Sequence, residues 1–111
     1  MDIQFESDDL EKDCNEFKRL VGKHNVQRAK LIRRRLDDLR AAPNLQAMRG
    51  LPGRCHELTG DLAGQLTVDL DGPYRLAFRP AHNPVPLKED GGLDWAKVTA
   101  IVVLEVVDTH D

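Results

Sequence analysis

The stretch Leu51–Phe78, LPGRCHELTGDLAGQLTVDLDGPYRLAF, decides the fold of this chain. Leu66, Val68 and Leu70 alternate with Gln65, Thr67 and Asp69, the period-two pattern of a strand with one buried face and one wet face. Asp71-Gly72-Pro73 supplies a reversal, because glycine readily takes the positive φ that tight hairpins demand. Tyr74, Leu76 and Phe78 then face inward on the returning strand, leaving Arg75 and Arg79 on the opposite side. Upstream, His56 sits on a short strand before a turn bounded by Gly60 and Gly64. An antiparallel sheet of this layout holds His56 and Arg75 on a common surface, the minimum needed to move a proton beside a phosphate.

Outward from that hairpin, the remaining elements follow from periodicity. Met1, Ile3 and Phe5 alternate with Asp2 and Gln4 and predict a short first strand. Asp8 with Glu11 resembles a capping box, and Leu10, Cys14, Phe17 and Val21 recur at helical spacing up to Gly22. Asn25 caps a second helix whose apolar stripe is Ala29, Ile32, Leu36 and Leu39, ended by Pro43. Val98–Val107 is apolar at almost every position, so that strand belongs in the interior of the sheet. Between Pro80 and Lys97 lies a long excursion with Pro84, Pro86 and Gly91-Gly92, and a short helical turn begun at Asp94 before Trp95. The predicted order is β-α-α-β-β-β-β: an α+β fold in which a two-helix hairpin packs on a mainly antiparallel sheet, as a single domain over residues 1–111.

Bulk composition narrows the function. The 111 residues are 41% apolar and 32% charged, with a net charge of −3 that argues against broad, sequence-independent nucleic-acid binding. Any RNA role therefore rests on a local basic surface. Cys14 and Cys55 lie far apart and read as free thiols, while His24, His56, His82 and His110 are scattered singly, so neither a metal nor another cofactor is expected. No apolar run reaches membrane-spanning length, and Met1–Phe5 lacks the features of a signal peptide, which predicts a cytoplasmic protein without membrane contact. The basic residues Arg28, Lys30, Arg33, Arg34, Arg35 and Arg40 on the second helix are interrupted by Asp37 and Asp38 and read as a solvated face.

With this order of elements, the chain resembles the RelE/ParE superfamily of type II toxins, and within it the HigB branch. The resemblance is carried by Arg40-Ala41-Ala42, Leu51-Pro52-Gly53, the block His56-Glu57-Leu58-Thr59-Gly60-Asp61-Leu62-Ala63-Gly64, the block Asp71-Gly72-Pro73-Tyr74-Arg75-Leu76-Ala77-Phe78, and the closing Asp108-Thr109-His110. It covers nearly the whole chain. It implies a ribosome-associated mRNA endonuclease, neutralised by a HigA-like antitoxin with a helix-turn-helix domain, with operator DNA reached only through that antitoxin. It also implies that His56, Arg75, Asp108 and His110 carry cleavage or phosphate contacts. Two positions depart from the family pattern: Thr59 stands where a lysine is usual, and Thr109 where a tyrosine is usual. The alternative is a protein that acts by binding, through gyrase inhibition or through antitoxin binding and operon regulation.

The residues themselves support the chemistry to different degrees. His56 suits acid–base work because imidazole titrates near neutral pH, although a strand histidine bonded to a neighbour is the plainer reading. Arg75 suits phosphate through its planar, permanently charged guanidinium, and its plainer reading is an ion pair to Asp69 across the sheet. Arg54 shares strand parity with His56 and is the candidate replacement for the missing lysine, while Arg79 shares parity with Arg75. Asp108 is suited to orienting a histidine, and His110 to acting as a second acid–base group. Cys55 faces away from His56 and is expected in the core rather than as a nucleophile.

Overall fold

The computed structural model describes Met1–Thr109; His110, named above as an acid–base group, lies outside the described residues. Strand β1 (Asp2–Phe5) leads into helices α1 (Asp8–Asn15), α2 (Phe17–Lys23) and α3 (Val26–Ala41). Four strands follow: β2 (His56–Glu57), β3 (Leu66–Asp69), β4 (Tyr74–Pro80) and β5 (Ala100–Asp108). The sheet order is β1-β5-β4-β3-β2, parallel between β1 and β5 and antiparallel elsewhere. The apolar β5 is interior, as its composition predicts. The α+β class and the strand order along the chain agree with the sequence reading.

The first helix does not. One continuous helix was expected from Leu10 to Val21, but the backbone opens at Glu16 (φ −125°, ψ 106°) and divides it into α1 and α2. The break lets α2 fold back on Asp13, whose carboxylate is buried and receives Arg19 Nε at 2.9 Å together with Lys23 Nζ. A buried carboxylate needs such partners, and they lie six and ten residues downstream, beyond the reach of a single straight turn. The N-cap also differs. Ser7 Oγ, not Asp8, accepts the Leu10 N–H at 3.1 Å.

Helix α3 has the predicted cap and apolar stripe, but its basic residues are not all on a solvated face: Arg35 is buried against Asp69 and Arg28 is drawn in by Asp71. Asn25 Oδ1 caps it by accepting the Arg28 N–H at 2.8 Å, and its stripe Ala29, Ile32, Leu36 and Leu39 is buried. These side chains join Leu66, Val68, Leu76, Phe78, Ile101 and Val103 from the sheet in one core. The expected turn after Asp94 is present as a 3₁₀ turn, Trp95–Lys97. Trp95 is buried there, donates from Nε1 to Glu57 Oε2 at 3.0 Å and lies under Arg49. Among the described residues no helix is long and apolar enough to cross a membrane.

The β3–β4 hairpin is tied to α3 by a bidentate pair, Arg28 Nε and Nη2 to Asp71 Oδ1 and Oδ2 at 2.9 and 3.1 Å, with the guanidinium stacked on Tyr74. The Arg28 hydrogen bonds hold the Asp71 carboxyl below its ordinary range, against the opposing effect of burial, and Lys23 does the same for Asp13. A carboxylate depressed in the folded state contributes stability that is full above its unfolded pKa of about 4 and is lost as pH falls through the folded value. Thermal melts should therefore show Tm steady near neutrality and falling below about pH 4. Asp71→Asn should lower Tm at neutral pH and flatten that acid limb. An unchanged limb in the variant would remove Asp71 from the account.

Candidate functional site

Helices cover one face of the sheet. The other face carries a cavity of about 380 Å³ lined by residues of β2, β3, β4 and β5 and of the Gly60–Leu62 turn. Its position follows from register: His56 pairs with Thr67, Thr67 with Ala77, and Ala77 with Glu105. Paired residues in a ladder project to the same side, so these four form one row across the sheet. Arg75 lies two residues along β4 from Ala77 and opposes Val107, which puts it on the same side.

His56 and Arg75 both line the cavity. The His56 ring is exposed, and its Nδ1 lies 2.7 Å from the carbonyl oxygen of Arg54. A carbonyl only accepts, so the ring hydrogen sits on Nδ1 and Nε2 is the nitrogen left to take or give a proton. Arg75 is held on three sides. Its Nη1 donates to the carbonyls of Gly72 and Tyr74, each at 2.8 Å, and its Nε stands 2.8 Å from Asp69 Oδ1. That last contact is an ion pair out of hydrogen-bond alignment, so buried Oδ1 accepts no hydrogen bond.

Asp69 gathers three arginines. Arg54 Nε reaches its Oδ2 at 2.5 Å, Arg75 faces Oδ1, and buried Arg35 donates from Nε to its backbone oxygen at 2.8 Å. The sequence placed Arg54 beside His56 by strand parity. The structure reaches a related arrangement by another route: Arg54 lies outside β2 in left-handed backbone (φ 47°), and its side chain rests on Asp69 rather than on the cavity wall. Two guanidinium groups meet the one carboxylate and a third, buried, meets its backbone oxygen, which leaves a local excess of positive charge in an acidic chain.

The other candidates divide. Asp108, the last residue of β5, opposes Tyr74 and lines the cavity. Thr109 lines it too, but its hydroxyl donates to the Pro73 carbonyl at 2.7 Å. Thr59 lies off the lining, at the start of the Gly60–Leu62 turn. Arg79 is also off the lining: it donates to the Pro80 carbonyl and sits 4.0 Å from Glu6. Cys55 packs against the core, and burial pushes its thiol up to about 12; Cys14 is raised to about 11 for the same reason. Both stay protonated at neutral pH, so neither is a nucleophile.

Sequence reasoning missed Glu105, which lines the cavity opposite His56. The available signal was a single charge in the middle of an otherwise apolar strand, AIVVLEVV. Such a residue needs an open side of the sheet.

Neither a protein-family model nor a curated protein matches the chain. Solved structures do. A YoeB/ParE toxin from Agrobacterium tumefaciens aligns over 100% of both chains at 12% identity and a TM-score of 0.59. A chain of the YoeB–YefM complex from Staphylococcus aureus aligns over 100% of this chain and 98% of its own, at 14% identity and a TM-score of 0.56. The chain thus shares the RelE/ParE-like toxin fold.

Proposed function

We propose that this protein is the toxin of a type II toxin–antitoxin pair and cleaves mRNA on the ribosome without a metal ion. The observation that carries the reading is the placement of His56 and Arg75 in one cavity on the open face of the sheet. His56 exchanges a proton through Nε2, and Arg75 holds the phosphate and offsets the charge that builds on it in the transition state. Asp108 stands at the rim, where it would orient a histidine. Arg54 and Arg79 are assigned to the RNA backbone flanking the cavity, and His110 to a second acid–base role. The shared fold with a toxin solved in a YoeB–YefM complex supports an antitoxin partner. The blocks His56–Gly64 and Asp71–Phe78 support the HigB branch, hence a HigA-like, helix-turn-helix antitoxin that alone contacts operator DNA. A cytoplasmic location follows from a ribosomal target.

A second reading is a protein that acts by binding, through gyrase or through its antitoxin. Two observations favour it: Arg75 and Arg54 are already paired with Asp69, and the Thr109 hydroxyl is taken by Pro73.

Induced expression in a host lacking the antitoxin separates the two, with growth followed and mRNA 5′ ends mapped. Growth arrest with new cleavage sites, weakened roughly tenfold to a hundredfold in Arg75→Ala, supports the nuclease. Arrest with intact mRNA supports the binder. No arrest in cells that contain folded protein would leave only antitoxin binding.

A further inference from the structure

Asp69 stands beside the cavity without lining it, and both its backbone and its side chain are tied. At the end of β3 its N–H donates to the Gly53 carbonyl at 2.6 Å, and its own carbonyl accepts from Arg35 Nε at 2.8 Å. A turn and a helix thus hold its backbone beyond the point where pairing to β2 ends. The carboxylate bridges two guanidinium groups, with Arg54 Nε 2.5 Å from Oδ2 and Arg75 Nε 2.8 Å from Oδ1. The two contacts differ. Arg54 donates a hydrogen bond, whereas Arg75 meets Oδ1 as charge against charge, because that buried oxygen accepts no hydrogen bond.

Arg75 needs such a hold. It leaves β4 two residues from Ala77, about 7 Å along the strand from the row His56–Thr67–Ala77. An unrestrained arginine samples many rotamers over that distance. Its Nη1 is pinned by the carbonyls of Gly72 and Tyr74. One pinned nitrogen still lets the guanidinium plane pivot. Asp69 at Nε supplies the second point and fixes the plane. Among the described residues Nη2 has no hydrogen bond or ion pair, so it is the nitrogen offered to a ligand. Arg75 therefore meets the cavity with one nitrogen rather than with its whole fork.

From this geometry we infer that Asp69 is a positioning residue, which aims Arg75 Nη2 at the phosphate beside His56 and weakens RNA binding in doing so. The inference rests on the nuclease reading. Asp69 touches no substrate and moves no proton; it acts through Arg75. An arginine aligned before the substrate arrives offsets transition-state charge without reorganising, and that alignment raises the rate of the chemical step. The same carboxylate puts a negative charge next to the seat of a phosphate, which repels the RNA. It also occupies Arg54, which would otherwise be open to the RNA backbone. Rate and affinity are thus pushed in opposite directions by one side chain. A residue that only braced the hairpin would support both together.

The test is single-turnover cleavage of a short mRNA, free and ribosome-bound, by the purified full chain and by Asp69→Asn, Asp69→Glu, Arg75→Ala and the double variant Asp69→Asn/Arg75→Ala. Affinity is measured in parallel with the same oligonucleotide carrying hydrogen in place of every 2′-hydroxyl, which removes the attacking group. Asp69→Asn keeps the size of the side chain and removes its charge. Its saturating rate should fall about tenfold, while its affinity rises roughly threefold to tenfold. Asp69→Glu should return the affinity to that of wild type and recover part of the rate. The double variant should be no slower than Arg75→Ala, because Asp69 works through that arginine. A saturating rate for Asp69→Asn within about twofold of wild type overturns the inference and leaves the nuclease standing. So does a loss of rate and affinity together, or an unfolded variant, either of which marks a structural role. Additive losses in the double variant overturn it as well, since they separate Asp69 from Arg75. Folded wild-type protein that cleaves neither substrate overturns the nuclease reading and this inference with it.

Discussion

His56→Ala is expected to lower the single-turnover rate of RNA cleavage by about 10²–10⁴-fold, the usual contribution of one general acid–base group, while leaving the fold intact. His56 is exposed, lies on the two-residue edge strand β2, and among the described residues makes one side-chain hydrogen bond, to the Arg54 carbonyl. Surface changes of this kind move stability by roughly 0.5 kcal/mol or less, so lost rate reports chemistry and not unfolding. Arg75 keeps its three contacts in the variant, because none of them involves His56. RNA binding should therefore survive and the defect should fall on the chemical step. Rates and binding measured on the same preparation decide it. Equal rates for variant and wild type would remove His56 from the mechanism, and a loss confined to binding would recast it as a contact residue.

The parts of the molecule that were legible in the sequence are those governed by short-range periodicity. The β3–β4 hairpin, the stripe of α3 and its Asn25 cap, and the shared face of His56 and Arg75 each depend on residues within a turn or a strand pair. Long-range pairing hid the rest. Asp13 is one of seven acidic residues in the first sixteen, and nothing local says that it alone is buried, drawing in Arg19 and Lys23 and breaking the first helix. Arg54 was placed by parity, which presumes extended backbone; a left-handed residue there sends its side chain to Asp69 instead. Parity also misleads in β5, where it ranks Val103 and Glu105 together and only the pairing of Phe78 with Val103 shows the extra residue. Of the expected pair Arg75–Asp69, the sequence could offer the cross-strand contact but not its extension to Arg54 and Arg35, which come from a turn and a helix.

That extension makes Gly53 the position where a single added methyl group should do most damage, at about 3 kcal/mol or more. Gly53 has φ +108°, a conformation open to glycine and strained for any residue with a Cβ. A Cβ built there would stand 2.8 Å from Arg35 Nε. Arginine side chains ordinarily yield to such a clash, but Arg35 is buried and its Nε is bonded to the Asp69 carbonyl. Displacing it leaves a buried guanidinium and a carbonyl unpaired, which costs about 1–3 kcal/mol beyond the backbone strain. The same turn is joined to β3 a second time, by the Asp69 N–H donating to the Gly53 carbonyl at 2.6 Å. Moving the turn also shifts the Arg54 carbonyl that holds His56 Nδ1. Gly53→Ala should thus lower the urea midpoint clearly and reduce cleavage even where the variant is folded. Arg54→Gly, in contrast, should be mild, since it relieves a positive φ and removes only an exposed guanidinium from Asp69. Equal urea midpoints for Gly53→Ala and wild type would show that Arg35 moves aside freely, and that the three arginines on Asp69 do not hold this turn in place.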